Sequence, residues 1–290
     1  MIVDIHTHTF PQAIAAATIE KLAAMSPLTH CSNSYLAASI ARAGVDRSIV
    51  LPVATNPAKV SHINDAAAKV NEDYAQTGIF SFGGMHPDAP NWKEELSRVE
   101  RLGLKGIKLH PIYQGVDLDD PRFLRILDRC GELGLVVLVH AGLDVGIPGK
   151  VHASPEMSLN ALRQVGPVKL ILAHMGGWRN WDQVEQLLSD TPVRLDTAFT
   201  LGDMAPANDG FYSPEELHMM GAEQFTRMIR LFGYERIYFG TDSPWGGQKE
   251  SLDLIRALPL PQDQLDAIAA AKRDMESTKI MDQSIILLVV

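Results

Sequence analysis

Residues 3–8 read VDIHTH, a short apolar run that ends in the pair His6 and His8. Successive side chains of a β-strand point to opposite faces, so two histidines separated by one residue point the same way. Two imidazole nitrogens on one side of a strand can bind one metal ion. A single His-X-His pair is weak support for a metal site, and its meaning depends on what the rest of the chain brings near it.

Short apolar runs like this one recur along the 290 residues, separated by segments with the three- and four-residue spacing of amphipathic helices. The predicted strands are Met1–Ile5, Ser48–Val53, Ile79–Gly83, Gly106–Leu109, Val136–Val139, Val168–Ala173, Val193–Asp196 and Arg236–Gly240. The predicted helices include Ile63–Gln76, Trp92–Leu102, Pro121–Leu133, Ser158–Val165, Trp181–Leu188 and Ala222–Phe232. Buried strands that alternate with helices predict an α/β fold, a (β/α)8 TIM barrel, with a doubly wound open sheet as the alternative. No linker or repeat interrupts the pattern, so we expect one barrel domain over residues 1–290.

Polar side chains stand at or just after the ends of these runs. They are His6, His8, Lys108, His110, His140, His174, Asp196 and Asp242. In a parallel barrel the C-terminal strand ends meet at one face, where catalysis occurs. His6, His8, His140 and Asp242 would offer three nitrogens and one carboxylate oxygen, a set that suits zinc and also iron, manganese or cobalt. Water bound to such an ion becomes a nucleophile near neutral pH.

The motifs VDIHTH, GIKLHP, VLVHAG, LILAHMGG and FGTDSPW together resemble the amidohydrolase superfamily, in its amidohydrolase-related (amidohydrolase 2) branch. The resemblance runs from Met1 to about Trp245 and implies a distorted (β/α)8 barrel that binds a divalent metal, usually zinc. By position, the resemblance assigns His6, His8, His140 and Asp242 as metal ligands. It assigns His174 as the sixth-strand histidine, a catalytic acid/base or carbonyl polariser.

The reaction is left open by the resemblance, because the superfamily includes hydrolases and non-oxidative decarboxylases. We expect a hydrolase of a small amide, ester or lactone, in which Asp242 accepts the proton of water and His174 assists the developing oxygen. The alternatives are a decarboxylase of an unsaturated or aromatic carboxylic acid, a metal-independent lactonase, and a non-catalytic binding protein.

Lys108 has three interpretations. A carboxylated lysine on the fourth strand bridges two metals in some members of the superfamily, which leaves a second ion open. A positive charge that contacts a substrate carboxylate is the simpler interpretation, and a solvated or ion-paired structural lysine is the third. Further residues are predicted to contact substrate, each with packing, capping or positioning as its alternative: His110, His86, Asp196, Trp178 and Trp245.

The composition restricts the partners. The formal net charge is −9 and no stretch concentrates Lys and Arg, so nucleic acid and anionic membranes are not expected as partners. The two cysteines, Cys31 and Cys130, have no metal-ligand spacing and predict no disulfide framework. The N-terminus does not resemble a signal peptide, so we expect a cytoplasmic enzyme with a small-molecule substrate.

Three segments in the C-terminal half carry further predictions: a loop, a helix and the tail. Met204–Ser213 is rich in turn formers and predicts a lid or specificity loop, and Ser213 with Glu216 predicts the start of a helix with a capping box. A helix is expected from Pro261 to about Ala271. The tail, residues 272–290, departs from the family pattern, and its apolar end IILLVV would need burial against the barrel or in a homo-oligomer.

Overall fold

The computed structural model describes residues 1–10, 33–204, 213 and 215–270. The middle of the predicted lid, residues 205–212, lies outside the described residues, as do Cys31 and the tail 272–290. Within the described part of the chain, no helix is long and apolar enough to cross a membrane.

The strands are short, parallel and arranged in two sheets. The first sheet contains β1 (Val3–Thr7), β2 (Arg47–Val50) and β3 (Ile79–Ser81). The second contains β4 (Gly83–Gly84), β5 (Gly106–Leu109), β6 (Val136–Val139), β7 (Lys169–Leu172), β8 (Arg194–Asp196) and β9 (Ile237–Tyr238), in that order. Seven of the eight predicted strands each overlap one observed strand, and the predicted strand Ile79–Gly83 spans β3 and the first residue of β4.

The two sheets follow one another around a barrel. Only Phe82 separates β3 from β4. At the other seam, the Ile5 N–H donates to the Phe239 carbonyl at 3.0 Å, and the Asp242 N–H donates to the His6 carbonyl at 2.8 Å. These bonds tie β1 to the segment after β9, although the pairing is divided into two sheets rather than one continuous closed sheet. The predicted (β/α)8 barrel is confirmed, while its extent as one domain over residues 1–290 stays a prediction.

Helices follow most of the strands. Their bounds are α1 Asn33–Ala43, α2 Val60–Glu72, α3 Tyr74–Thr77, α4 Trp92–Arg101, α5 Pro111–Gln114, α6 Pro121–Glu132, α7 Pro155–Gln164, α8 Trp181–Leu188, α9 Ala222–Phe232, α10 Gln248–Arg256 and α11 Gln262–Ala270, with 3₁₀ turns at Pro57–Lys59 and Tyr234–Arg236. The six helices expected between strands and the one expected after Pro261 are confirmed within a few residues. The predicted segment Ile63–Gln76 is divided into α2 and α3. Helices α1, α5 and α10 were not predicted.

Helix α6 illustrates how the sequence produces these elements. Asp120 caps it by accepting the Arg122 N–H at 2.8 Å, and Pro121 occupies its first turn, where a missing N–H costs nothing. The buried residues follow helical spacing: Phe123, Ile126, Leu127 and Cys130. The polar side of the helix faces away from the barrel.

Buried side chains of the strands divide between two hydrophobic clusters. On β6, Val136 and Leu138 belong to one cluster, while Val137 and Val139 belong to the other. This alternation is what strands covered on both sides require. On β1 the register shifts between Asp4 and Thr7, in the stretch that contains His6.

The structure does not form the helix that was predicted to begin at Ser213. The capping-box bonds do form, since the Ser213 N–H donates to Glu216 Oε2 at 2.8 Å and the Glu216 N–H donates to Ser213 Oγ at 3.3 Å. The following residues nevertheless form a turn, and His218 then pairs with Asp203 in an isolated antiparallel bridge. Pairing of the chain with residues 201–203 replaces the helix that the local signal favours.

Candidate active site

A cavity of about 280 Å³ opens at the C-terminal ends of the strands. Its titratable lining residues are His6, His8, Lys108, His110, Tyr113, His140, Asp144, His174 and Asp242. The other walls are mostly apolar and aromatic. The strand-end residues that the sequence analysis singled out therefore do converge, as the parallel-barrel argument requires.

His6, His8 and Asp242 form what we call the base cluster. The two Nε2 atoms of His6 and His8 lie 3.2 Å apart. Asp242 Oδ1 lies 3.3 Å from His6 Nε2 and 3.0 Å from His8 Nε2. Atoms that share a cation through bonds of about 2.1 Å are separated by roughly 3.0–3.4 Å, so the spacing of the cluster fits a metal ion.

The outer nitrogens of the base cluster decide its protonation. His8 Nδ1 lies 2.9 Å from the Leu51 carbonyl, which can only accept, so Nδ1 carries a proton and Nε2 is the nitrogen that a neutral ring offers to a metal. His6 Nδ1 lies 2.9 Å from Asp196 Oδ2, and an ionised Asp196 imposes the same tautomer. With their outer nitrogens donating, His6 and His8 can each direct an Nε2 lone pair to the point that the Asp242 carboxylate also faces, once His8 Nε2 gives up the proton it shares with Asp242. This is the donor set that a divalent cation needs.

The remaining contacts of Asp196 favour a positioning role, in which it holds the His6 ring and the backbone of His174 and Ala198. Burial raises the pKa of Asp196, but the backbone N–H of His174 and the charge of Lys108 act in the opposite direction. Asp196 Oδ1 accepts the N–H of His174 at 2.9 Å and that of Ala198 at 3.0 Å. Asp196 is fully buried behind His6 and does not line the cavity, and its predicted contact with substrate stays a prediction.

Lys108 is buried beside the base cluster. Its Nζ lies 3.2 Å from His6 Nε2. Burial lowers the pKa of Lys108, while Asp242, Asp196 and Asp144 act to raise it. Its burial contradicts the solvated structural lysine, and the ammonium is positioned to contact an anionic group in the cavity.

Asp242 itself is held in its ionised form. Burial alone would raise the pKa of Asp242, but the hydrogen bond from His8 and the nearby charges lower it below the usual range. Asp242 and His174 both adopt a positive φ of 59°, a backbone conformation that is uncommon outside glycine. Such outliers cluster at functional sites, where surrounding contacts hold them in place.

His140 faces His174 and not the base cluster. His140 Nδ1 and His174 Nε2 lie 3.0 Å apart. The outer nitrogens of the two rings point to carbonyl oxygens, His140 Nε2 to Leu143 at 3.2 Å and His174 Nδ1 to Ala198 at 2.9 Å. Burial lowers the pKa of both histidines to about 3, so both rings are neutral. The predicted four-ligand set is therefore brought together in three of its members, and His140 as the fourth ligand stays a prediction.

A second group, which we call the wall cluster, consists of His110, His140 and Asp144. Asp144 Oδ2 lies 3.5 Å from His140 Nε2 and 3.7 Å from His110 Nε2. The His110 ring is stacked between Tyr113 and His140, with ring centroids 4.0 Å and 4.2 Å away. Burial raises the pKa of Asp144 and lowers that of His110.

Of the other residues predicted to contact substrate, both tryptophans line the cavity and His86 does not. The Trp245 ring lies 5.4 Å from the His8 ring, and the Trp178 ring lies 6.1 Å from that of Phe199. His86 Nδ1 accepts the Asp88 N–H at 3.1 Å, so this histidine caps a loop.

Sequence reasoning missed two aspartates. Asp144 follows His140 by four residues, and only the path of the loop brings it into the cavity. Asp4 is buried below the base cluster, where it accepts hydrogen bonds from the Thr241 hydroxyl at 2.7 Å and the Gln248 amide at 2.8 Å. Burial raises the pKa of Asp4 to about 6 against these hydrogen bonds. An acidic residue inside an apolar strand was the available signal for Asp4.

The geometry agrees with a comparison against known families, in which the family model described as Amidohydrolase matches residues 3–275. The chain belongs to the amidohydrolase family. The resemblance seen in the sequence motifs is thereby confirmed. A search of curated proteins finds no match for this amidohydrolase.

Solved structures share the fold of this amidohydrolase at low identity. An uncharacterised TIM-barrel protein from Bordetella bronchiseptica is 17% identical with a TM-score of 0.71, over 96% of this chain and 98% of that one. A candidate 2-pyrone-4,6-dicarboxylic acid hydrolase from Pseudomonas putida is 16% identical with a TM-score of 0.66, over 97% and 98%. A dihydroxybenzoic acid decarboxylase from Polaromonas sp. JS666, with bound manganese and the inhibitor 2-nitroresorcinol, is 12% identical with a TM-score of 0.65, over 99% of each chain. At these identities the likeness shows the fold alone.

Proposed function

We propose that this amidohydrolase is a metal-dependent hydrolase that adds water to the carbonyl carbon of a small amide, ester or lactone. The observation that carries the proposal is the convergence of three potential ligand atoms in the base cluster, at separations of 3.0–3.3 Å inside the cavity. We retain the expectation of a cytoplasmic enzyme with a small-molecule substrate.

The base cluster would hold one divalent ion, with His140 as the fourth ligand. Nitrogen-rich sets of this kind favour zinc, and manganese is the main alternative because a structural neighbour contains it. A bound ion would lower the pKa of water and polarise a carbonyl group. A second ion near Lys108 is not needed for this chemistry.

The side chains of the cavity would handle the protons and charges. Asp242 is ionised and stands beside both histidines of the base cluster, so it can accept the proton of the attacking water. Neutral His174 keeps a lone pair on Nε2, where it can take up a proton and pass it to the leaving group. The Lys108 ammonium can stabilise negative charge on the substrate carbonyl oxygen or bind a substrate carboxylate.

Decarboxylation is the second candidate. The buried Lys108 ammonium next to mostly apolar cavity walls would bind and desolvate a carboxylate. Five of the solved structures that share the fold are named as decarboxylases. In that reaction Asp242 or His174 would take up a proton from water and pass it to the carbon that loses CO₂.

The two candidate reactions are distinguished by measuring the incorporation of oxygen from water and the release of CO₂. We expect purified protein to contain zinc or manganese, to lose activity with a chelator, and to regain it when the metal is returned. During turnover in H₂¹⁸O, hydrolysis of an amide, ester or lactone panel puts ¹⁸O into the carboxylate product. CO₂ release from unsaturated or aromatic acids without ¹⁸O incorporation would show decarboxylation. Protein without metal, whose activity is indifferent to chelator, would overturn both.

A further inference from the structure

Asp144 has a position that the proposed hydrolysis does not use. It lines the cavity, is only 6% exposed, and has no lysine or arginine within 4 Å among the described residues. Its Oδ1 accepts the Gly146 N–H at 2.7 Å. Its Oδ2 is 3.5 Å from His140 Nε2, which lies closer, at 3.2 Å, to the Leu143 carbonyl. A carboxylate this buried without a cationic partner is costly unless a ligand supplies one.

One aromatic residue contacts this carboxylate, and a second is linked to its loop through the backbone. Tyr113 is stacked on His110 with an angle of 6° between the rings, and the Tyr113 hydroxyl lies 3.5 Å from Asp144 Oδ1. The loop that carries Asp144 is tied to Trp178, since the Leu143 N–H donates to the Trp178 carbonyl at 3.1 Å. Both Tyr113 and Trp178 line the cavity. A buried carboxylate in a cavity wall can bind an ammonium group through its charge, and aromatic rings that line the same cavity can add cation–π attraction.

A glycine fixes the path of this loop. Gly142 has a φ of 84°, and a Cβ at this position would lie 2.2 Å from the Trp178 nitrogen. No other residue fits there without moving the backbone. The loop is therefore held against Trp178, which gives Asp144 a defined position in the cavity wall.

We propose that Asp144, Tyr113 and Trp178 form a subsite for a protonated amine. The part of this inference that names a substrate, a carbonyl compound carrying an amino group, rests on the proposed hydrolysis. In that substrate the ammonium lies at Asp144, and the carbonyl group reaches the base cluster in the same cavity. The subsite itself is a property of the wall and can be tested without turnover.

Binding of benzylammonium and of benzyl alcohol, a neutral compound of similar shape, tests the subsite by calorimetry on the full chain. We expect wild-type protein to bind benzylammonium more tightly, and Asp144→Asn to reduce the ratio of the two affinities at least tenfold. Asp117→Asn is the matched control, because Asp117 pairs with His152 and does not line the cavity. Equal affinities in the wild type, or an unchanged ratio in a folded Asp144→Asn protein, would overturn the subsite.

Turnover then tests the substrate class. With 4-nitrophenyl esters of equal length whose acyl chains end in ammonium or methyl, Asp144→Asn should raise KM for the ammonium ester at least tenfold more than for the methyl ester. Amine binding that depends on Asp144, together with no ester, amide or lactone hydrolysis, would sink the proposed function and keep the subsite. Hydrolysis without any preference for the ammonium ester would keep the proposed function and overturn the subsite.

Discussion

The base cluster and the wall cluster have the same composition, two histidines and one aspartate, and both line one cavity. In the base cluster the outer nitrogens of His6 and His8 are held by acceptors, and the ligand atoms approach to 3.0–3.3 Å. In the wall cluster the rings of His110 and His140 are stacked, and Asp144 stays 3.5–3.7 Å away. Residue types alone therefore do not define a metal site. The partners of the outer nitrogens aim the lone pairs.

The largest effect is expected from His8→Ala, which leaves two of the three converging atoms of the base cluster. Loss of a direct ligand should exceed the roughly 10–100-fold effects of outer partners, so we expect metal binding and activity to fall at least ~100-fold. Metal content after dialysis and kcat/KM measure this. His86→Asn is the control, because an asparagine oxygen can still accept the Asp88 N–H. Full metal occupancy in the His8→Ala protein would place the ion elsewhere, for instance at the wall cluster.

Asp196→Asn should produce the next largest effect, although Asp196 does not itself line the cavity. Oδ1 accepts two backbone N–H groups, so the new amide nitrogen should take the other position and donate to His6 Nδ1. His6 would then carry its proton on Nε2, which points into the base cluster. We expect metal affinity to fall about 10–100-fold, measured by competition with a chelating dye.

The control for that substitution is Asp128→Asn, whose carboxylate accepts the Gly166 N–H at the surface. If Asp196→Asn bound metal as tightly as the control, the tautomer of His6 would not govern the site, and the distinction between the two clusters would lose its physical basis.

A smaller effect is expected in the wall cluster. His110→Phe keeps a flat ring between Tyr113 and His140, so stacking survives while a nitrogen near Asp144 is lost. We expect the metal content to stay at the wild-type level and kcat/KM to fall by less than ~10-fold, below the effect of an outer partner of the metal. Loss of metal from this protein would show that the wall cluster also binds the ion.

The sequence predicted the barrel and the base cluster well, because both depend on patterns that survive in one dimension. Strand alternation and chain order bring His6, His8 and Asp242 to one mouth. The sequence could not predict that His140 faces His174, because the ring is oriented by the Leu143 carbonyl, whose position depends on how the following loop folds. Asp144 was missed for the same reason, and the helix at Ser213 failed because pairing of Asp203 with His218 outweighs a local capping signal.

The smallest effect is expected at Asp120, which lies outside both clusters. It shows whether a loss of stability alone changes the metal content. Asp120 caps α6 and pairs with Arg122, whose side chain holds the pKa of Asp120 down at about 2. Because this pKa is lower than that of an unfolded aspartate, the stabilisation is present above about pH 4 and is lost as pH falls toward 2. Asp120→Ala should lower stability by about 1 kcal/mol at pH 7, without altering metal content. Thermal unfolding at pH 7 and pH 3 measures this, with the exposed Glu100→Ala as control. A loss of metal from the Asp120→Ala protein would mean that general destabilisation, and not ligand geometry, empties the base cluster.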